Sequence, residues 1–334
     1  MKHDFVYKID HKDTHHIHHP FLTMVQKEIA DQVRSWRFII LVLLILLTCL
    51  ASLYSSLSII RTAAASIDTN DAFLFLKIFT LSDPQGSMPS FMTFISLLGP
   101  LLGIGLGFDA INSERNRGTL SRILAQPIPR DYLINAKFLA NLGLIGILTF
   151  ALGFLIIGLG IISIGFPPTW DEFWRMVAFL FLSVIYIGFW LNISILFSIR
   201  FKQTATSALS SIAMWLFFSV FYSIIINIIG KAAFQIQKMG AIYELGGMQT
   251  IIQTLSRFNP SYLYSEITTI LLTPTIRSLG PLTMEQLVGA IPSPLPLKQS
   301  LLLIWPQFTG LIAATIICFG ISYFIFMKQE IRAK

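Results

Sequence analysis

Charge is the first thing this sequence lacks. Only 12% of its 334 residues are Asp, Glu, Lys or Arg, about half of the ~25% of a soluble domain. So few charges cannot cover a water-facing surface. Apolar residues take their place, at 54% of the chain. They come in runs of about 20 or more, longer than a soluble core accommodates. Lipid is therefore the solvent for most of the chain.

Cysteine is also scarce. Cys49 and Cys318 lie far apart, each inside an apolar run. That argues against a disulfide framework and a cysteine zinc site, and both read as small packing residues. No Gly-x4-Gly-Lys-Ser/Thr phosphate loop occurs, so the chain supplies no P-loop ATPase of its own. Gly103, Gly105 and Gly107 have no strand before them and read as helix-packing residues.

Ionisable groups are missing from the depths of the apolar runs. None occurs in 91–108, 138–165, 176–199, 203–230 or 299–327. Ion-coupled carriers need such groups at depth, and metalloenzymes need His and acidic ligands. No Ser/His or Ser/Lys pair stands near the runs for nucleophilic chemistry. No internal repeat suggests the duplicated halves of many secondary carriers. We assign no catalytic residue, no metal site and no cofactor to this chain. The energy for any transport comes from outside it.

What is present organises itself by length and charge. Six spans are expected, at 38–60, 91–109, 133–164, 174–198, 205–229 and 300–326. Ala63, Ala64 and Ala65 follow the first, but that run is longer than a cleavable leader, and 37 residues precede it, so it reads as a retained span. Sixteen Lys and Arg fall on the side of both termini and eight on the other. This places both termini in the cytoplasm of a multi-pass plasma-membrane protein. The net charge of +7 reads as topology and headgroup contact, with membrane lipids and not nucleic acid as the partner. One long external loop, 230–298, contains an amphipathic segment at 254–272. Its Phe258, Tyr262 and Tyr264 suit a helix lying in the interface.

Two cytoplasmic elements stand out. In 21–37, Leu22, Val25, Ile29, Val33 and Trp36 form one apolar stripe, with Lys27, Asp31 and Arg34 on the other side. This interfacial helix is either an anchor or a docking surface. In 107–130, Asp109 ends the second span, and Ile111, Leu120, Ile123 and Leu124 make an apolar face. Glu114, Arg115, Arg117 and Arg122 project elsewhere, and Pro127 and Pro129 stop the helix. A positive-inside loop would explain the arginines. It explains neither Glu114 nor the proline-bounded helix.

The run Asp109, Glu114, Arg115, Gly118, Thr119, Leu120, Gln126, Pro127 and Arg130, with Lys137 beyond, resembles the signature of ABC type-2 permeases. The branch it resembles contains the nitrous oxide reductase maturation permease. Lys27-Glu28 in an interfacial helix fits too. The resemblance covers nearly the whole chain in layout, with the longer N-terminus, 1–20, as the departure, and only 107–137 is specific. It implies an all-α membrane protein with six transmembrane helices, an N-terminal elbow helix at 21–37 and a six-span permease domain at 38–334. It also implies a coupling helix at 112–125, including Asn112, between spans two and three. By the same resemblance the partners are two copies of an ABC ATPase subunit, which hold the ATP and Mg, and a second permease copy.

The expected function is that of a transporter's membrane subunit, not itself an enzyme, exporting a lipid-like or amphipathic cargo. Trp190, Asn192, Trp215 and Asn227 are candidates to line its path; helix–helix hydrogen bonds are the commoner use of such asparagines. The competing reading is a non-transporting membrane anchor or assembly protein. A His-rich tail at 1–20 carries His15, His16, His18 and His19. It reads as a solvated tail, with metal binding as the alternative.

Overall fold

The computed structural model describes residues 20–63, 73–82, 88–125, 129–237, 252–275 and 294–328. Every regular element among them is helical. The spans are α2 (Trp36–Ala63), α4 (Phe91–Gly107), α7 (Arg130–Ile164) and α8 (Trp170–Arg200). The fifth joins α9 (Thr204–Leu216), a π-helical turn (Phe217–Phe221) and α10 (Tyr222–Gln237), and the sixth is α13 (Leu297–Lys328). The shorter elements are α1 (Pro20–Val33), α3 (Leu74–Thr80), α5 (Asn112–Asn116), α6 (Thr119–Leu124), α11 (252–256) and α12 (Pro260–Leu272). All six expected spans are present. At 35 residues, α7 is about 52 Å long, well beyond the ~30 Å hydrocarbon core.

The core is built around α8. Within its most apolar stretch 72% of residues are buried, against 6% for the fifth span. It packs against α4, α7, α9, α12 and α13. Its contact with α4 is the closest. A Cβ on Gly103 would stand 2.6 Å from the Ile187 carbonyl oxygen and 2.9 Å from the Leu191 nitrogen. One on Gly107 would meet the Leu191 oxygen at 2.9 Å. Four-residue glycine spacing lets two backbones touch where lipid supplies no hydrophobic drive. Gly105 points the other way, at Leu41 of α2.

The end of the bundle away from α1 is closed by two neighbours on α8. Thr169 and Glu172 form a capping box, and Glu172 Oε1 also accepts from the Phe75 N–H at 2.9 Å. One carboxylate thus serves the first turns of both α8 and α3. Arg175 is fully buried. It donates to Asp171 at 2.7 Å, to the Leu271 carbonyl and Ser300 Oγ at 3.1 Å each, and to the Leu295 carbonyl. This pins α12, α13 and the segment before α13 to α8. The spans stay free of charge at depth, as expected, but their ends bury ionic groups that positive-inside counting treats as solvated.

The 254–272 segment departs from expectation. Its helix, α12, does not lie in the interface. Its C-terminal end reaches Arg175, while its N-terminal end meets the middle of the spans. There Ser261 Oγ lies 3.0 Å from the Tyr186 hydroxyl, and Asn259 Nδ2 donates to the Phe218 carbonyl at 2.6 Å. Phe218 lies in the π turn half-way along the fifth span, where the widened register frees a carbonyl for an outside donor. The segment is thus re-entrant, and its backbone ends are satisfied by protein as membrane depth requires. The reason is its composition. Leu263, Ile267, Ile270, Leu271 and Leu272 are buried on more than one face. Tyr264, expected at the interface, is fully buried, stacked on Tyr186 at 4.2 Å, with its hydroxyl 2.7 Å from Ser183 Oγ.

Candidate functional site

The basic end gathers α1, the α5–α6 hairpin and the starts of α2 and α7. α4 ends at Gly107, and a turn leads into α5. Ser198, near the end of α8, accepts from the N–H groups of Ile111 (2.9 Å) and Asn112 (3.2 Å). These are unpaired donors at a helix start. Asn112 is fully buried, as is Ile111.

The expected single helix over 112–125 is two. Gly118 has φ +70, and its N–H bonds back to the Arg115 carbonyl at 3.2 Å. A left-handed glycine ends α5, and α6 starts afresh at Thr119. Thr119 Oγ1 donates to the Glu114 carbonyl at 3.2 Å, and Leu120 is buried. The element is a hairpin with its tip at residues 116–118, which are exposed.

Glu114 is not part of the exposed surface. It is buried, and its Oε1 stands 2.9 Å from Lys137 Nζ. Lys137 Nζ donates also to Glu28 Oε2 at 2.8 Å. One buried ammonium thus joins α1, α5 and α7. A buried ion needs such partners to offset its desolvation. Gln32 of α1 and Asn141 of α7 both donate to the Leu106 carbonyl, at 3.3 and 3.2 Å, in the unpaired last turn of α4. Arg37 pairs with Asp109, and its guanidinium lies 5.2 Å above the Phe108 ring. Between these elements lies a cleft of about 730 Å³.

The sequence-derived residues divide accordingly. Glu28, Asp109, Asn112, Glu114 and Leu120 form the framework. Lys27 and Asp31 are an exposed i,i+4 pair at 3.6 Å, and Arg34 is exposed beyond α1. Arg117, Gly118, Arg122 and Arg130 are exposed, and Arg115 and Thr119 are half-buried. Pro127 and the four tail histidines lie outside the described residues. Gln32, Asn141 and Ser198 carried no signal in sequence. Lys137 did: it is a lone cation just inside an apolar run, a placement that calls for a buried partner.

The family model described as "ABC-2 family transporter protein" matches residues 22–331. The chain belongs to the ABC-2 transporter family. It is also similar to a protein of Pseudomonas aeruginosa named "Probable ABC transporter permease protein NosY". The two are 26% identical over 210 residues, which cover 60% of this chain and 68% of that protein. The chain is accordingly a membrane permease subunit of an ABC transporter.

In this ABC-2 permease the candidate path residues separate. Trp190 is fully buried, with its ring 6.3 Å from that of Phe218. Asn192 is buried and donates to the Thr315 carbonyl of α13 at 3.3 Å. Both are core packing, and Asn192 is a helix–helix bond. Trp215 is half-buried and Asn227 exposed, both on the peripheral fifth span.

Proposed function

We propose that this permease exports an amphipathic or lipid-like cargo, driven by two copies of a separate ATPase subunit docked on the α5–α6 hairpin. The basic end is cytoplasmic in this reading, and the membrane is the plasma membrane. ATP and Mg stay on the ATPase. A second permease copy completes the unit, and the sparsely buried fifth span, with Trp215 and Asn227, offers it an apolar face.

One observation carries the reading. The hairpin has an exposed tip and a buried root, and Lys137 ties that root to α1 and α7. A push on residues 116–118 meets a rigid body and not a loop, so it moves α7 and α1 together with the root. A rigid contact between the hairpin root and two further helices is what force transmission requires.

The test is to isolate the chain from its native membrane under mild conditions. A P-loop ATPase should accompany it. Asn116→Trp, at the exposed tip, should abolish that co-purification and leave the chain folded. If no ATPase accompanies the unmodified chain, the non-transporting anchor reading takes its place.

A further inference from the structure

The cleft at the basic end has two kinds of wall. One wall carries Arg117, in the hairpin tip at the end of α5, and Arg122 of α6, both exposed, and neither has an ion pair among the described residues. The other cations of the cleft are engaged: Lys137 with Glu28 and Glu114, Arg37 with Asp109, Lys27 with Asp31. On the α2 side the wall begins at Trp36, which is 77% exposed. From Trp36 an exposed apolar track continues through Ile40, Leu43 and Leu47. These positions share one helix face. The track runs about 16 Å, roughly one leaflet of the ~30 Å hydrocarbon core.

We infer that the cleft binds an anionic phospholipid, its phosphate between Arg117 and Arg122 and one acyl chain along the Trp36–Leu47 track of α2. Two unpaired guanidiniums favour a phosphate, which they can grip through paired N–H donors. The continuous track favours a lipid over a free anion. Basic pockets between transmembrane helices select such headgroups, and Trp36 has the amphipathic ring suited to the headgroup level. A lipid seated here touches α2 and the hairpin together, so its presence would stiffen the joint between them. Arg117 also belongs to the hairpin tip that the ATPase reading uses, so lipid and ATPase would compete for it; the isolated chain, free of ATPase, tests the lipid site by itself.

The purified full-length chain in phosphatidylcholine nanodiscs would be titrated with phosphatidylglycerol, with phosphatidylcholine of the same chains, and with inorganic phosphate. Thermal midpoint and lipid retained in native mass spectrometry are the readouts. Phosphatidylglycerol alone should be retained and raise the midpoint. The pair Arg117→Gln and Arg122→Gln should weaken it by about thirtyfold. The pair Arg200→Gln and Lys202→Gln, exposed at the same end but outside the cleft, should leave it unchanged. Equal loss in both pairs would reduce the effect to diffuse surface charge and overturn the site. So would inorganic phosphate acting as well as the lipid, which marks a free-anion site. Unchanged retention in the Arg117/Arg122 pair would free those arginines for an acidic protein partner and overturn the proposal as well.

Discussion

Lys137 shows how one side chain acquires its role from its surroundings. In sequence it is the cation just inside the start of the third span, which calls for a partner without naming one. In the fold it is buried, held at 2.8 Å by Glu28 and 2.9 Å by Glu114. Lys137→Met would leave two buried carboxylates without a counter-charge, at a cost of about 3–5 kcal/mol. Adding Glu28→Gln and Glu114→Gln removes the uncompensated charge and should restore most of that loss. Thermal unfolding in detergent compares the variants; a triple variant no more stable than the single one would contradict the account. Its charge sets Glu114 on the polar side of the coupling segment, away from the apolar face, yet it is buried against Lys137. Charge alone cannot say whether a carboxylate faces water or an ammonium. That depends on which helix lies opposite, and Lys137 is 23 positions further along the chain. Trp190 is a parallel case, since its size suits a conduit wall or a core equally well.

At the scale of the element, glycines show the same division. Gly103→Ala drives a methyl into the backbone of α8, and neither helix can yield at 2.6 Å. It should separate α4 from α8 and sharply lower the yield of folded protein. Gly146→Ala on α7 meets nothing within 4 Å and should be neutral or slightly stabilising, since alanine is the better helix former. Size-exclusion profiles of the two variants in one detergent would show the contrast. Packing was the expected role for the glycines of α4, because three of them in an apolar run with no strand before them suit little else. That Gly103 and Gly107 face α8 and Gly105 faces α2 follows from helical geometry once the neighbours are known. The hairpin was half legible: Gly118 was read as part of a family signature, and its φ of +70 makes it the break between two helices. An amphipathic pattern in isolation does not reveal how much protein surrounds it, so the pattern of 254–272 suits an interface while the fold buries Leu263, Tyr264 and Ile267 of α12.

The whole molecule has two differently built ends. Away from α1, Glu172 and Arg175 clamp α3, α12 and α13 onto α8. At the basic end, the Lys137 knot leaves a hairpin exposed. α12 joins the first end to the bilayer middle, and this placement predicts a pattern of thiol access. In a Cys49→Ala, Cys318→Ala background, Thr275→Cys should react with an impermeant maleimide added on the side of the membrane away from α1. Ser261→Cys, at the deep end of α12, should resist it. Equal labelling of both would return α12 to the interface.

The sequence by itself determined that lipid is the solvent, that six helices cross it, and that cations crowd one end. Hydropathy and charge are local sums, and the bilayer reads them segment by segment whatever the neighbours are. It also limited ionisable chemistry to the ends of the spans. Only the tertiary structure decided which polar groups at those ends are buried and with whom. The bond from Lys137 to Glu28 joins residues 109 positions apart, and such a pairing exists only once α1, α5 and α7 have packed. The same packing turns a basic loop into a hairpin with a fixed root and an exposed tip, and places that tip beside a cleft.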